Sequence, residues 1–274
     1  MFLGGCDFLI LRDRMDFRKE LAERILVLDG AMGSMIQSLG LGECDYRFKD
    51  APEGVELKGN HECLNLSHPE IIKDIHRQYI EAGADIIETN SFSANRIVQS
   101  EYGCEELADS MAFNAARIAR EAVSESGRKV FVAGSMGPTG KSLTMAPDMD
   151  NPAHRDYDFQ AMTAVMRGQI DALVRGGVDY IQLETCFDAL TAKAVIMALE
   201  SLGNPVPLVI SATVSDRSGR TLTGQTLEAF YRSVCYAPSL AAFGINCALG
   251  AREMMHLVED VASFSLYFIR IGGG

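Results

Sequence analysis

Six short runs rich in Val and Ile, each closed by glycine or polar residues, constrain this chain more than any other feature. They are RILVLDG (24–30), ADIIETN (84–90), KVFVAGS (129–135), DYIQLET (179–185), PLVISAT (207–213) and AAFGINC (241–247). Their near-continuous apolar character suits parallel strands buried on both faces. Helical patterns fill the gaps. Ser67-His68-Pro69-Glu70 has the form of a capping box with Ser67 as N-cap, and it opens PEIIKDIHRQYIEAG, which closes at Gly83. Residues 159–175 place Phe159, Met162, Met166, Ile170 and Leu173 on one face and stop at Gly176-Gly177. Strand then helix, repeated, means a parallel sheet with crossover helices. Two units echo each other: EAGADIIET and RGGVDYIQLET share a helix-ending glycine, an aspartate at the strand entry and Glu-Thr at the exit. SFSLYFIRI (263–271) supplies a seventh strand, and the length of 274 residues is close to the ~250 of a (β/α)8 TIM barrel. The expected fold is therefore α/β, a TIM barrel left incomplete by a missing eighth strand.

Composition narrows the partners. A net charge of −12 with no Lys/Arg cluster argues against a nucleic-acid partner, which needs basic side chains to neutralise phosphates. The longest apolar windows are strand-sized, short of the ~20 residues of a membrane helix. At the N-terminus, MFLGGCDFLILRDRMDF carries an apolar patch interrupted by Arg12, Asp13 and Arg14, without a basic start or a small-residue cleavage site. Residues 1–20 read as a poorly ordered leader and 21–274 as one barrel domain. Without an export signal, the seven cysteines are expected in a reducing cytoplasm as thiols or metal ligands.

In such folds chemistry gathers at the carboxyl ends of strands. This chain places Asp29, then Glu88, Thr89 and Asn90, Ser135, Glu184 and Thr185, Thr213, and finally Asn246 and Cys247 at those exits. One carboxylate there can be a helix cap or a solvated loop charge. Three converging on one mouth would suit a cationic group such as a substrate ammonium, because opposite charge offsets their desolvation and mutual repulsion. Cys247 has two readings: a small buried hydrophobe, or a thiolate favoured by the following helix N-terminus and able to bind zinc. Catalytic zinc takes three protein ligands, so partners would have to come from elsewhere. Cys186 could approach the same mouth, but Phe187 beside it favours packing. His68 and His76 fall on the surface of the capped helix, and His61, His154 and His256 lack a visible partner. GSMGPTGKS (134–142) approaches a phosphate-binding loop, yet Ser135 stands where glycine is required and Pro147 and Pro152 follow in place of a helix.

Together ILVLDGAMGSMIQ, LKGNHECLNLSHPEII, YIEAGADIIETNSF, VAGSMGPTGKSLTMAPD, IQLETCFDALTAKA, SDRSGRTLTGQTLEAF and FGINCALGAREM form a pattern covering roughly residues 24 to 262. In register, it resembles the N-terminal homocysteine-binding module of cobalamin-dependent methionine synthase. Related homocysteine methyltransferases share the Asp-Gly, Glu-Thr and G-x-N-C elements but generally not the LKGN…LNLSHPE stretch. The resemblance implies a barrel in which zinc, held by three cysteine thiolates, binds homocysteine through its sulfur, and Cys247 corresponds to the first of those ligands. The other two form an adjacent Cys-Cys pair in a GGCCG motif. This sequence closes on Ile271-Gly272-Gly273-Gly274 without such a pair, so the domain reads as C-terminally truncated. The resemblance further implies that Asp29 and Glu184 receive the substrate ammonium and that Gly30, Ser34 and Glu88 line the pocket. Ser34 stands where the family often has Thr. The thiolate would take a methyl group from methylcobalamin to give methionine, with the cobalamin and methyltetrahydrofolate bound by other modules of the full enzyme. Two rival readings stay open: a homocysteine methyltransferase using S-methylmethionine or betaine without cobalamin, and a non-catalytic barrel whose open edge pairs with another chain.

Overall fold

The computed structural model describes residues 16–215, 218–246 and 250–272. Within them six strands form one parallel sheet in chain order: β1 Ile86–Glu88, β2 Phe131–Met136, β3 Tyr180–Cys186, β4 Leu208–Ala212, β5 Leu240–Asn246 and β6 Phe268–Gly272. The longer helices are α1 Phe17–Glu23, α2 Met32–Ser38, α3 Pro69–Ala82, α4 Ala108–Ser126, α5 Phe159–Gly176, α6 Ala189–Ser201, α7 Leu227–Val234 and α8 Ala251–Phe264. Among the described residues none is long and apolar enough to cross a membrane.

Strands β1 and β6 stand at opposite ends of this order, and in a flat sheet they would lie about 24 Å apart. Yet Arg270 of β6 reaches Glu88 of β1 at 3.1 Å. The sheet is curled, an open half-barrel consistent with an incomplete TIM-like fold. The first expected strand, 24–30, is reduced to a parallel bridge between Leu28 and Ile86, with Ile25 and Val27 exposed and, among the described residues, a partner on one side only. The seventh is present but starts late: α8 runs to Phe264 and β6 begins at Phe268.

Strand alternation sorts the residues into two faces. Ile87, Val132, Ile181, Leu183, Ile210 and Phe243 pack outward in the main core with the helices. Ile86, Phe131, Tyr180, Val209 and Ala242 form a second apolar cluster inside, at the strand entries. Two or four residues further along the same inner face come Glu88, Ser135, Gln182, Glu184, Ser211 and Asn246. The interior is therefore apolar at the bottom and polar at the mouth. Phe17 closes the bottom, stacked on Tyr180 at 4.1 Å between centroids and edge-on to Phe131 at 5.3 Å. Residues 17–20, assigned to the leader from sequence, thus lie in α1, held there by the apolar strand entries that Phe17 covers.

The repeated aspartate at the strand entry has a physical reason. Asp85 accepts the N–H of Val27 at 2.9 Å and Asp179 that of Val132 at 2.7 Å, so each ties its strand to the preceding one. Two helix-level expectations change. His68, not Ser67, caps α3, with Pro69 in the first turn, and Ser67 Oγ donates back to Asp45 O. His76 is fully buried rather than on the surface, because it lies four residues from both Ile72 and Ile80 on the inward face of α3. After β2 the chain makes no helix before Phe159, and Lys141 pairs with Asp156, so no helix N-terminus backs the phosphate-loop look-alike.

Two outcomes follow from this packing. Phe17→Ala should lower the unfolding free energy by about 3 kcal/mol in urea titrations; a loss under about 1 kcal/mol would mean that α1 does not seal the sheet. Neither ring nitrogen of His76 has a partner, and burial pulls its pKa down from 6.5 to about 4. The unfolded chain takes up this proton first, so stability should fall as pH drops from about 6.5 to 4, by about 3 kcal/mol from this residue. His76→Leu should remove that part of the acid slope; an unchanged slope would refute the assignment.

Candidate active site

At the carboxyl ends of the strands a cavity of about 670 Å³ opens, lined by Asp29, Gly30, Glu88, Asn90, Ser135, Glu184 and Arg270, with His61 and Glu62 on a further wall. Four of the expected pocket residues, Asp29, Gly30, Glu88 and Glu184, are thus brought together. At Gly30 the space a Cβ would take is occupied by the Tyr79 ring end, 2.9 Å away at Oη. Ser34 is not brought in. It is exposed on α2, and Met32 and Gly33, at other angles of the same turn, line the cavity instead. Thr213 also stays out of the lining, its N–H bonded to Cys186 O. Cys247 lies outside the described residues.

The polar side chains form one network. Arg270 Nη2 is 3.1 Å from Glu88 Oε1 and 3.3 Å from Glu184 Oε2, and Nη1 donates to Ser211 Oγ at 3.0 Å. Gln182 donates to Glu88 Oε1 and Ser135 Oγ to Glu184 Oε1 at 2.6 Å. Asp29 is tied to the neighbouring strand, its Oδ2 accepting the N–H of Glu88 at 2.9 Å, while its buried Oδ1 has no partner. Burial, with repulsion from Glu184, pushes the Asp29 carboxyl up to about 7 against the pull of the Glu88 N–H. Burial and then Glu184 also hold Glu88 well above the usual range, with the Arg270 charge opposing them. The cavity thus presents clustered carboxylates, one counter-charge and a free buried acceptor.

Beside the mouth, Thr185 adopts φ of 55°, a left-handed conformation that is strained for a β-branched residue. Asn246 holds it: Oδ1 accepts from Thr185 N at 2.9 Å and from Ser211 Oγ at 2.8 Å, and Nδ2 donates to Thr185 Oγ1. His61 Nδ1 lies 3.3 Å from Tyr46 Oη, supplying the partner that the sequence did not reveal. Glu62 Oε1 accepts the Ser93 N–H at 2.7 Å, and burial raises its pKa. Arg270, Gln182 and Ser211 went unnoticed in the sequence; the signal for each was a polar residue in phase with Glu88 and Glu184 inside an apolar strand.

Among the described residues no group of three His, Cys, Asp or Glu side chains is disposed to hold a metal ion. The mouth carboxylates direct oxygens at Arg270, Ser135 and Gln182. Cys186 is fully buried, and burial raises its thiol to about 12, in keeping with packing. A zinc site here would therefore have to rest on Cys247 and on residues beyond those described.

Parallel strands in chain order, a curled sheet and polar groups at the strand exits define the class: an α/β protein of the barrel type with its site at the carboxyl end of the sheet. The chain belongs to the homocysteine S-methyltransferase family, which it matches over residues 26–270. Its structure is similar to that of the homocysteine methyltransferase MmuM from Escherichia coli. Against the metallated form the TM-score is 0.74 at 19% identity, covering 93% of this chain and 86% of the other. Against the oxidized form it is 0.69 at 22% identity, covering 92% of each. At this identity the likeness speaks for the fold.

Asn246→Ala should cost about 2 kcal/mol of stability by stranding the Thr185 N–H. Chemical denaturation measures it, and a change within about 0.5 kcal/mol would show that the strained Thr185 is held by other contacts.

Proposed function

We propose that the protein transfers a methyl group to the sulfur of homocysteine to form methionine, as one module of a cobalamin-dependent methionine synthase acting in the cytoplasm. The family membership supports the reaction class, and the convergence of Asp29, Glu88 and Glu184 on one cavity carries the substrate assignment. A substrate ammonium would meet the unpartnered Asp29 Oδ1 and the Glu184 carboxylate, with Gly30 lining the same cavity. The buried interior keeps water from these charges, so their attraction for a cation exceeds what it would be in solvent. The homocysteine sulfur must lose its proton before it can displace the leaving group from the methyl carbon.

The donor is assigned as methylcobalamin, delivered with methyltetrahydrofolate-binding modules, from the LKGN…LNLSHPE stretch described above. Zinc enters through Cys247, where it would lower the pKa of the substrate thiol. One ligand is two short of a catalytic zinc site. The second reading, a transferase using S-methylmethionine or betaine, shares the same pocket and is equally compatible with the family match.

Calorimetric titration with L-homocysteine, paired with methionine formation from each donor, tests this. Binding should strengthen as pH rises through about 7, because only ionised Asp29 attracts the ammonium. Asp29→Asn should weaken it about tenfold or more and flatten the pH dependence. Methionine from methylcobalamin alone supports the assignment, and methionine from S-methylmethionine or betaine alone transfers it to the second reading. No binding and no product from any donor would overturn both.

A further inference from the structure

Glu88 and Glu184 are held so that one oxygen of each points at a common position. Ser135 fixes the other oxygen of Glu184, and Gln182 holds Glu88. That arrangement is what a primary ammonium would be received by, since two carboxylates this close stay ionised together only with a cation between them. The position is filled from within the chain, by Arg270 Nη2 at 3.1 and 3.3 Å. Gly272, two residues on and on the same face, makes the room: a Cβ there would come within 2.8 Å of Nη1 and 3.0 Å of Cζ. The guanidinium is nevertheless an imperfect occupant, because its buried Nε has no partner. It is also carried on β6, which among the described residues pairs only with β5 and has Phe268, Ile269 and Ile271 exposed.

We propose that Arg270 is a built-in occupant of the cation seat between Glu88 and Glu184, competing with the amino group of the ligand, so that residue 270 sets how tightly the pocket takes a primary ammonium. Asp29 Oδ1 has no partner but is shut off from solvent while Arg270 is in place, so it becomes available to the ligand amino group as the guanidinium is displaced and β6 yields.

The test uses methylammonium chloride as probe, with sodium chloride and tetramethylammonium chloride at equal ionic strength as controls. Arg270→Ala should gain a saturable rise in melting temperature with methylammonium alone, and the wild-type chain should show little. Equal responses in the two proteins would overturn the proposal. Should Arg270→Ala fail to fold, the wild-type chain gives a separate readout. Displaced Arg270 becomes a trypsin site, so methylammonium should accelerate cleavage after residue 270, followed by mass; an unaltered rate would refute the competition. A homocysteine arm rests on the function proposed above. If Arg270 fills the seat nine-tenths of the time, its removal should tighten L-homocysteine about tenfold. Weaker binding by the variant would mean that Arg270 contacts the ligand and would overturn the proposal. If methylammonium discriminates the two proteins while homocysteine binds neither, the seat stands and the homocysteine assignment fails.

Discussion

A parallel sheet buried on both faces leaves a charged strand residue only one place to be, the mouth of the interior, and there it needs a partner. Glu88 on β1, Glu184 on β3 and Arg270 on β6 meet that demand jointly. Each alone would carry a heavy desolvation cost; together the guanidinium offsets the repulsion of the two carboxylates, and Ser135, Gln182 and Ser211 satisfy further atoms. The same contact ties the first strand of the sheet to the last.

Around this group the mouth is built from backbone clamps. Asp29 holds the Glu88 N–H, and Asn246 holds Thr185 in its left-handed conformation. These keep the carboxylates in fixed positions on rigid strands, which suits a site that must orient a small polar ligand. The contrast is β6. Among the described residues it pairs on one side only, and Phe268, Ile269 and Ile271 are exposed, so the counter-charge is carried on an edge strand.

Much of this was legible beforehand. The runs around 86, 131, 180, 208 and 240 became strands because an apolar stretch of that length, bounded by turn residues and followed by a helical pattern, has few other ways to bury itself. Asp29, Glu88 and Glu184 were visible as carboxylates at strand exits. Arg270 was not, since a lone cation in an apolar run reads as a solvated edge charge until the far strand is known. Ser34 failed for the opposite reason: closeness in sequence to Gly30 says nothing about the angle at which a helix presents a hydroxyl. His76 failed similarly, its helical phase setting it among isoleucines despite a polar ring.

The sequence by itself determined the alternation of strand and helix, the inward phase of each strand and the placing of acidic residues at the exits, because these depend on periods of two and 3.6 residues within short windows. Only the tertiary structure decided which of them meet. Glu88 and Arg270 are 182 residues apart in the chain and belong to the two outermost strands of the six-stranded sheet. Their contact exists because the summed twist of successive strands curls the sheet, and that accumulated geometry is written in no local stretch.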